Sequence, residues 1–268
     1  MNILNEYTTE DIYIRHAVDE LPDGNVFNFH VHDKCEIYYF ISGNAEYLVE
    51  GSVYPLSKGS LLIMRPGESH CIRILGSEKY ERFALNFPLN LFYTLDPKKS
   101  LTKIFTERKL GNDNMFIIHG LRDIFDEMFN EMLDNYERRL KILLGMLKIL
   151  ELLNSDAALR FKTDHINYSY EAKILRYVNE HLLDNISVDM LSEHFSLSRS
   201  QFGRIFKKAS GTSPWDYILA KRLLAAKNMI SEGLTAKEAA INCGFEDYSV
   251  FYRAFVKKFG HSPSDYFH

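Results

Sequence analysis

Residues 200–218 read SQFGRIFKKASGTSPWDYI, and residues 249–267 read SVFYRAFVKKFGHSPSDYF. The two stretches lie 49 residues apart and are identical at ten of nineteen positions. Agreement at that level over one fixed offset indicates two copies of a single supersecondary unit. This repeated unit therefore decides the fold of the C-terminal part of the chain.

Each copy carries the signals of a helix that begins and ends sharply. Phe202 and Phe206 lie four residues apart on one helical face, as do the corresponding phenylalanines of the second copy. Ser198 and Asp247 stand just before the two helices, where a short oxygen-bearing side chain caps free N–H groups. A glycine follows each helix as its C-terminal stop, and a Ser-Pro pair then opens another helix.

A shorter helix precedes each repeated helix. Segments 187–195 and 235–243 both begin with a capping residue, and each is followed by a tight turn. A short helix, a turn and a longer helix form a helix-turn-helix, whose second helix enters the major groove of DNA. We therefore predict such units at 187–209 and 235–258, within an all-α domain of about seven helices at 168–268.

The first turns of the two longer helices form the predicted DNA-binding surface, because a recognition helix enters the groove with its N-terminus first. Arg204 and Arg253 of this surface suit base edges, or phosphates alone. Its two tyrosines equally suit packing against a neighbouring helix. The residues assigned to this surface are Ser198, Arg199, Ser200, Arg204, Asp247, Tyr248, Ser249, Tyr252 and Arg253.

Residues 186–266 resemble the AraC/XylS-type DNA-binding domain. The resemblance rests on the stretches RIFKKASGTSPWDY, AKRLLAA and AAINCGFEDYSVFYRAF. It implies that both units address adjacent major-groove segments, and that Arg204 and Arg253 stand where the family commonly contacts DNA. The family often has a longer side chain in place of Gly203, so base reading by the first unit would depend on Ser200 and Arg204. The alternative for the same helices is a module that binds protein.

Two N-terminal clusters are rich in histidine. Residues 24–43 read GNVFNFHVHDKCEIYYFISG, and a strand period places Asn28, His30 and His32 on one face. Residues 59–70 read GSLLIMRPGESH. Short strands and Gly or Pro turns from about residue 12 to residue 87 predict a small β-barrel or jelly roll.

Both clusters resemble the motifs of the cupin fold. The pattern G-x5-H-x-H-x3-E-x6-G matches residues 24–43 throughout, and G-x7-G-x2-H matches 59–70 with its proline shifted by one place. In metal-binding cupins His30, His32, Glu36 and His70 would be the ligands, a set that suits a divalent first-row metal. Alternatively these four side chains line a pocket for a sugar or another small-molecule effector, or hydrogen-bond one another.

Apolar residues recur at three- and four-residue steps between residues 116 and 154, which predicts helices. Their surplus of apolar side chains favours a helical contact between two copies of the chain, which the family resemblance also implies. The alternative is that these helices pack only against the barrel of their own chain. The predicted fold class is thus α+β and multidomain. A cupin-like effector-sensing domain is predicted at 1–110, a helical dimerisation segment at 111–160 and the helix-turn-helix domain at 168–268, with a polar linker at 154–169.

Charge and composition exclude several classes of protein. The chain is 46% hydrophobic and 25% charged, as expected of a globular protein with packed cores. Residues 171–268 carry 13 basic and 11 acidic side chains, so this part is +2 and the remainder −6 within a total of −4. We expect no signal peptide and no membrane span. Three scattered cysteines suit the reducing cytoplasm.

These observations predict a sequence-specific DNA-binding transcription regulator that is controlled by a small-molecule effector. Its partners would be double-stranded DNA, the effector, a second copy of the chain and, for an activator, RNA polymerase. At the level of the family, the effector is expected to be a sugar or a related carbon source. The alternative is an enzyme, a metal-dependent cupin with an appended DNA-binding domain.

Overall fold

The computed structural model describes residues 2–23, 29–129, 134–156, 158–161 and 170–266. Its strands are β1 (Asn2–Thr8), β2 (Tyr13–Asp19), β3 (Cys35–Ser42), β4 (Ala45–Val49), β5 (Ser52–Pro55), β6 (Ser60–Met64), β7 (His70–Ile74), β8 (Tyr80–Phe87), β9 (Met115–Ile117) and β10 (Leu159–Arg160). Its helices are α1 (Lys103–Thr106), α2 (Leu121–Met128), α3 (Asn135–Leu153), α4 (Tyr170–Glu180), α5 (Val188–His194), α6 (Arg199–Ser210), α7 (Pro214–Ser231), α8 (Ala236–Asn242) and α9 (Tyr248–Phe259), with a 3₁₀ turn at Pro263–Tyr266.

The strands form two antiparallel sheets that face each other. One sheet has the order β1-β2-β8-β3-β6-β9-β10 and the other the order β5-β4-β7. Strand β3 is buried on both faces: Ile37 and Tyr39 pack toward α2 and α3, whereas Tyr38 and Phe40 pack between the sheets. The N-terminal part, which we call the sensor, is therefore a β-sandwich with a helical pair on one side.

The histidine-rich segment 24–43 is less regular than the predicted strand. Strand β3 begins only at Cys35, after a bend at residues 33–34. His30 forms an isolated bridge with His70 instead of continuing the strand. The prediction of one alternating strand is therefore wrong for the part that carries the histidines, and Asn28 lies outside the described residues.

The segment predicted as helical contains strands at both ends. Strand β9 pairs with β6, and β10 pairs with β9, so residues 115–117 and 159–160 extend the larger sheet. The helices themselves begin at Leu121 and Asn135, and they pack against each other. The boundary at residue 110 therefore does not separate the sheet from the helices. Of the predicted linker, residues 157 and 162–169 lie outside the described residues.

The C-terminal domain consists of α4 to α9 and the 3₁₀ turn, which confirms the predicted helical architecture. Its two cores correspond to the two repeats, with Phe202 and Phe206 in the first and Phe251 and Phe255 in the second. Helix α7 contributes side chains to both cores. This helix therefore joins the two helix-turn-helix units as one packed body.

Two further observations concern the whole described chain. Cys35, Cys71 and Cys243 are buried and free, as small core side chains. Within the described ranges, no helix combines the length and the apolar character that crossing a bilayer requires.

Candidate functional site

The first candidate DNA-binding helix is α6. Ser198 accepts a hydrogen bond from the backbone N–H of Gln201, whose side chain accepts one from the Ser198 backbone N–H; together they form a capping box. Phe202 and Phe206 fix the buried face of the helix. As a result the opposite face is directed to solvent. The residues exposed on this face include Arg199, Ser200 and Arg204.

Helix α9 repeats this arrangement in the second unit. The Asp247 carboxylate accepts hydrogen bonds from the backbone N–H groups of Ser249 and Val250, and these bonds lower the pKa of Asp247. The side chains of Tyr248 and Tyr252 lie beside each other with ring centroids 6.3 Å apart. Each tyrosine remains about two-fifths exposed. The exposed side chains of this helix include Tyr248, Ser249, Tyr252 and Arg253.

Two details distinguish the first unit. Arg199 forms an exposed ion pair with Asp189 of α5 at 3.0 Å, so its guanidinium is already oriented by the neighbouring helix. Apart from the backbone of α6 itself and the two neighbouring residues, no heavy atom of the described residues lies within 4 Å of the place where a Cβ would stand on Gly203. A longer side chain would therefore fit at Gly203 without a clash.

Arg222 of α7 connects the two units from inside the domain. Its guanidinium donates to the carbonyl of Leu182 at 2.8 Å and to that of Asp184 at 2.5 Å, both in the loop between α4 and α5. It also donates to the carbonyl of Gly244, in the turn between α8 and α9, at 2.9 Å. One buried side chain thus links the loop that precedes the first helix-turn-helix to the turn of the second. Sequence reasoning did not assign this role to Arg222.

The sensor brings three of its four predicted ligand residues together. Nε2 of His32 lies 3.1 Å from Oε2 of Glu36, and Nε2 of His70 lies 3.2 Å from the same oxygen. One candidate ligand atom from each of the three residues lies within 4.8 Å of the others. We call His32, Glu36 and His70 the histidine cluster. His30 lies outside it: its ring is exposed and parallel to that of His70, with centroids 5.7 Å apart.

Backbone carbonyls orient both imidazoles of the histidine cluster. Nδ1 of His32 lies 2.9 Å from the carbonyl of Lys34, and Nδ1 of His70 lies 2.9 Å from the carbonyl of Glu68. A carbonyl only accepts, so each Nδ1 must carry the proton. In the neutral imidazole, each Nε2 then presents its lone pair to the carboxylate side of the cluster. This is the outer arrangement typical of histidines that bind metals.

Glu36 and the two imidazoles shift one another's pKa values, because the carboxylate lies between the two rings. Burial alone would raise the pKa of Glu36, but His70 and His32 outweigh burial and hold that pKa well below its ordinary value. Burial alone would lower the pKa of His70, whereas Glu36 raises it above the ordinary value. The approach of His70 Nε2 to Glu36 lacks hydrogen-bond geometry, so this buried nitrogen has no hydrogen-bond partner in the described part of the chain. A cation or a proton would satisfy it.

Two further residues complete the surroundings of Glu36, and sequence reasoning did not find either of them. The side-chain amide of Asn86 donates to Oε2 of Glu36 at 3.0 Å, and the Tyr47 hydroxyl donates to Oε1 at 3.4 Å. They come from β8 and β4, distant in sequence. No local motif marks them, because only the pairing of the strands brings them to the cluster.

Comparison with known proteins gives the same division of the chain. The sequence profile of AraC-like ligand binding domains matches residues 18–152, half of the chain, and the profile of a helix-turn-helix domain matches residues 191–268. LumQ of Photobacterium leiognathi, a probable transcriptional regulator, is 26% identical over 239 residues, which cover 89% of this chain and 91% of LumQ.

Two other proteins match along almost the whole chain. RhaS of Escherichia coli, an HTH-type transcriptional activator, is 22% identical over 278 residues, which cover 94% of this chain and 96% of RhaS. The crystal structure of ToxT from Vibrio cholerae aligns with a TM-score of 0.37 and 15% identity, over 96% of this chain and 98% of ToxT.

Proposed function

The chain belongs to the family of AraC-like regulators, which join a ligand-binding domain to a helix-turn-helix domain, and from this premise we propose that it regulates transcription at specific promoters under the control of a small-molecule effector. The single observation that carries the proposal is the pair of capped, equivalent helices α6 and α9. Both present exposed polar side chains from one rigid domain. A regulator of this kind acts where DNA lies, so a cytoplasmic location is part of the proposal.

The DNA contacts are assigned to the exposed faces of the two helices. Arg204 and Arg253 occupy equivalent positions in the repeat and are both exposed, which suits a contact with guanine or with phosphate. Ser198 and Asp247 cap the helices, so we propose that they take part by fixing the first turns that carry the contact residues. The remaining contacts are assigned to Arg199, Ser200, Tyr248, Ser249 and Tyr252.

The effector site is assigned to the histidine cluster, with His30 beside it. A polar effector such as a sugar would use the imidazoles and the carboxylate as hydrogen-bond partners. The cluster also fits a divalent metal, because its ligand atoms converge and one buried nitrogen lacks a partner in the described part of the chain. His32, Glu36 and His70 would hold such an ion, which would supply a positive anchor for an oxygen-bearing effector.

The assembly is proposed to be a homodimer through α3. This helix buries Ile142, Met146 and Ile149 against the sensor, whereas Tyr136, Leu140 and Leu144 are 77%, 48% and 52% exposed. A second copy of the same face would cover this apolar stripe. RNA polymerase is a further partner if the output is activation.

The enzymatic alternative rests on the same cluster. The curated relatives described above are named transcriptional regulators, which supports a non-enzymatic role for this chain. Turnover of an oxidisable or isomerisable small molecule by the metal-loaded protein would support the enzyme instead. We propose that metal-loaded protein shows no such turnover.

Nuclease footprinting on promoter regions beside the gene tests the regulatory role. We expect one or more protected segments of roughly 20 base pairs, two adjacent major-groove segments. Replacing both Arg204 and Arg253 by Ala should weaken binding by about 1–3 kcal/mol for each arginine that contacts a base. An arginine that contacts only phosphate would weaken binding to all sequences equally and reduce the salt dependence.

Lys58→Ala is the matched control, because it removes an exposed basic side chain from the turn between β5 and β6 of the sensor. This variant should give the wild-type footprint. The proposal is wrong if no promoter region is protected, or if the double arginine variant binds as tightly as the wild type.

A further inference from the structure

The sensor and the DNA-binding domain meet at a polar contact centred on Glu50. At the tip of the β4–β5 hairpin, its carboxylate accepts hydrogen bonds from Lys221 Nζ at 2.5 Å and from the Tyr217 hydroxyl at 2.7 Å, both on α7. The amide of Asn179 on α4 donates to it at 2.7 Å, and the backbone N–H of Ser69 at 2.6 Å. We call these five residues the docking network.

The docking network is enclosed by both domains. The side chains of Glu50 and Lys221 are 2% and 7% exposed. A buried ion pair adds little net stability, but removing one partner leaves the other charge buried and unpaired, which is strongly destabilising. The contact therefore fixes one docked geometry without making docking irreversible.

The hairpin tip is shaped to meet the DNA-binding domain. Glu50 has a φ of 49° and Gly51 a φ of 85°, the left-handed region that favours glycine. A Cβ on Gly51 would lie 2.7 Å from Cδ1 of Leu175 on α4, so glycine permits the close approach of that helix. A glutamate in this conformation is strained and persists where surrounding contacts fix it. The docking network supplies those contacts.

Segment 29–33 of the sensor also holds α7. The ring of Phe29 lies 5.7 Å from the ring of Tyr217, and Asp33 forms an ion pair with Lys227. The same segment carries His30 and His32.

Segment 67–69 also forms hydrogen bonds with α7, and it directly precedes His70 of the histidine cluster. The carbonyl of Gly67 accepts a hydrogen bond from Lys221 at 3.0 Å, and the Ser69 hydroxyl donates to the α7 tyrosine at 3.1 Å. The next residue is His70. Its backbone pairs with that of His30 through two hydrogen bonds of 2.8 and 3.0 Å, so the two segments are tied to each other.

Docking also changes the charge that the DNA-binding domain offers to DNA. Glu50 and Asp33 neutralise Lys221 and Lys227, two cations of α7. The part of the chain before residue 171 carries a net charge of −6. Because DNA affinity rises with the positive charge of the binding protein, an acidic domain held against α7 lowers it.

We propose that the docking network is an autoinhibitory contact, in which the sensor holds α7 through Glu50 and a ligand of the histidine cluster weakens that hold. The inference rests on the proposed function, because it presumes that the helix-turn-helix domain binds promoter DNA. It assigns to α7, the helix shared by both units, the role of receiving the signal. The ligand acts through segment 29–33, which carries His32, and through segment 67–69, which directly precedes His70; both segments touch this helix.

The full-length variants Glu50→Gln and Lys221→Met test the contact. In both we expect faster amide hydrogen exchange in residues 214–224, and promoter affinity about tenfold above wild type without ligand, within the range of about 5- to 150-fold of typical couplings. In the wild type, Zn²⁺ alone, as a probe of the histidine cluster, should speed exchange in the same residues. The variants should no longer respond to it.

Glu232→Gln is the matched control, because it neutralises an exposed glutamate of the same domain, at the C-terminal end of α7; exchange and affinity should match wild type. If circular dichroism shows that a variant does not fold, Tyr217→Phe replaces it, since it removes one hydroxyl of the network and keeps the ring. Absence of promoter binding by the wild type contradicts the proposed function. Wild-type binding combined with unchanged exchange and affinity in the variants contradicts the autoinhibition alone, and a wild-type α7 insensitive to Zn²⁺ contradicts the coupling.

Discussion

Glu36 is the residue on which the histidine cluster depends, because both imidazoles face one of its oxygens. A neutral imidazole that turns its Nε2 lone pair toward a carboxylate gains nothing from that approach. The arrangement becomes favourable when a cation or a proton stands between the two. Asn86, which donates to the same oxygen, holds the carboxylate in place.

Glu36→Gln should lower the affinity of the purified protein for Zn²⁺. Loss of an outer partner of a metal ligand typically costs about 10- to 100-fold, and loss of a ligand should cost at least as much. Isothermal titration with Zn²⁺ measures the change. Glu81→Gln is the control, because Glu81 also pairs with a histidine, His16 at 2.8 Å, outside the cluster. Equal Zn²⁺ affinity in the wild type and Glu36→Gln would rule out metal binding at this site.

At the residue scale, the sequence predicted the members of the cluster better than their geometry. His32, Glu36 and His70 follow from motif spacing, because the hairpins of the β-sandwich place the two motifs side by side. His30 was expected to join them, but residues 29–32 form no strand beyond an isolated bridge at His30, so the alternation on which that expectation depended is absent. Which oxygen the imidazoles share is a tertiary property, and no spacing in the sequence encodes it.

At the scale of elements, the caps and stops of the helices were the most predictable features. The signals are local: a serine or aspartate before the helix, a glycine after it, and two phenylalanines on one face. Strands β9 and β10 were missed for the opposite reason. Three and two residues long, they are defined by their partners in the sheet and not by a pattern of their own.

Gly244→Ala should destabilise the DNA-binding domain by about 1–3 kcal/mol, because its φ of 74° lies in the left-handed region and the new Cβ would crowd a buried donor. That Cβ would lie 2.9 Å from Cζ of Arg222. Urea unfolding followed by the fluorescence of Trp215 measures the effect, because the chain has one tryptophan and it lies in this domain.

Gly203→Ala provides the matched control. Its Cβ meets open space in the middle of α6, so the same substitution should stabilise the domain by about 0.5–1 kcal/mol. Effects of the same sign in the two variants would contradict the role assigned to the turn at Gly244.

At the scale of the whole molecule, the order of the two domains follows from the motifs, but their contact does not. Glu50 and Lys221 are 171 residues apart. Glu50 belongs to no motif, and the AKRLLAA stretch that contains Lys221 does not say what its side chain contacts. A glutamate before a glycine predicts a turn at most. Only the docked structure shows that the turn meets α7, and that both histidine segments meet it too.

The exposed face of α3 leads to a prediction about assembly. Leu144→Glu places a charge in the apolar stripe and should convert a dimer into a monomer, since a buried unpaired charge is costly. Sedimentation velocity at micromolar concentration measures the change. Lys141→Glu, on the same helix, should remain dimeric. A wild-type chain that sediments as a monomer at all concentrations would contradict the α3 dimer.

The hydrogen bonds that Arg222 makes to both halves of the domain also limit the DNA sites that the protein can bind. Because the two recognition helices turn as one object, the DNA sequences they read must keep a constant phase. One base pair inserted between those sequences rotates the second by roughly 35° about the duplex axis, which follows from 10–10.5 base pairs per turn. Because the two recognition helices are held in one packed domain, one helix cannot rotate alone to follow the shifted segment. We therefore expect binding sites to vary in base sequence but not in the number of base pairs between the two recognised segments.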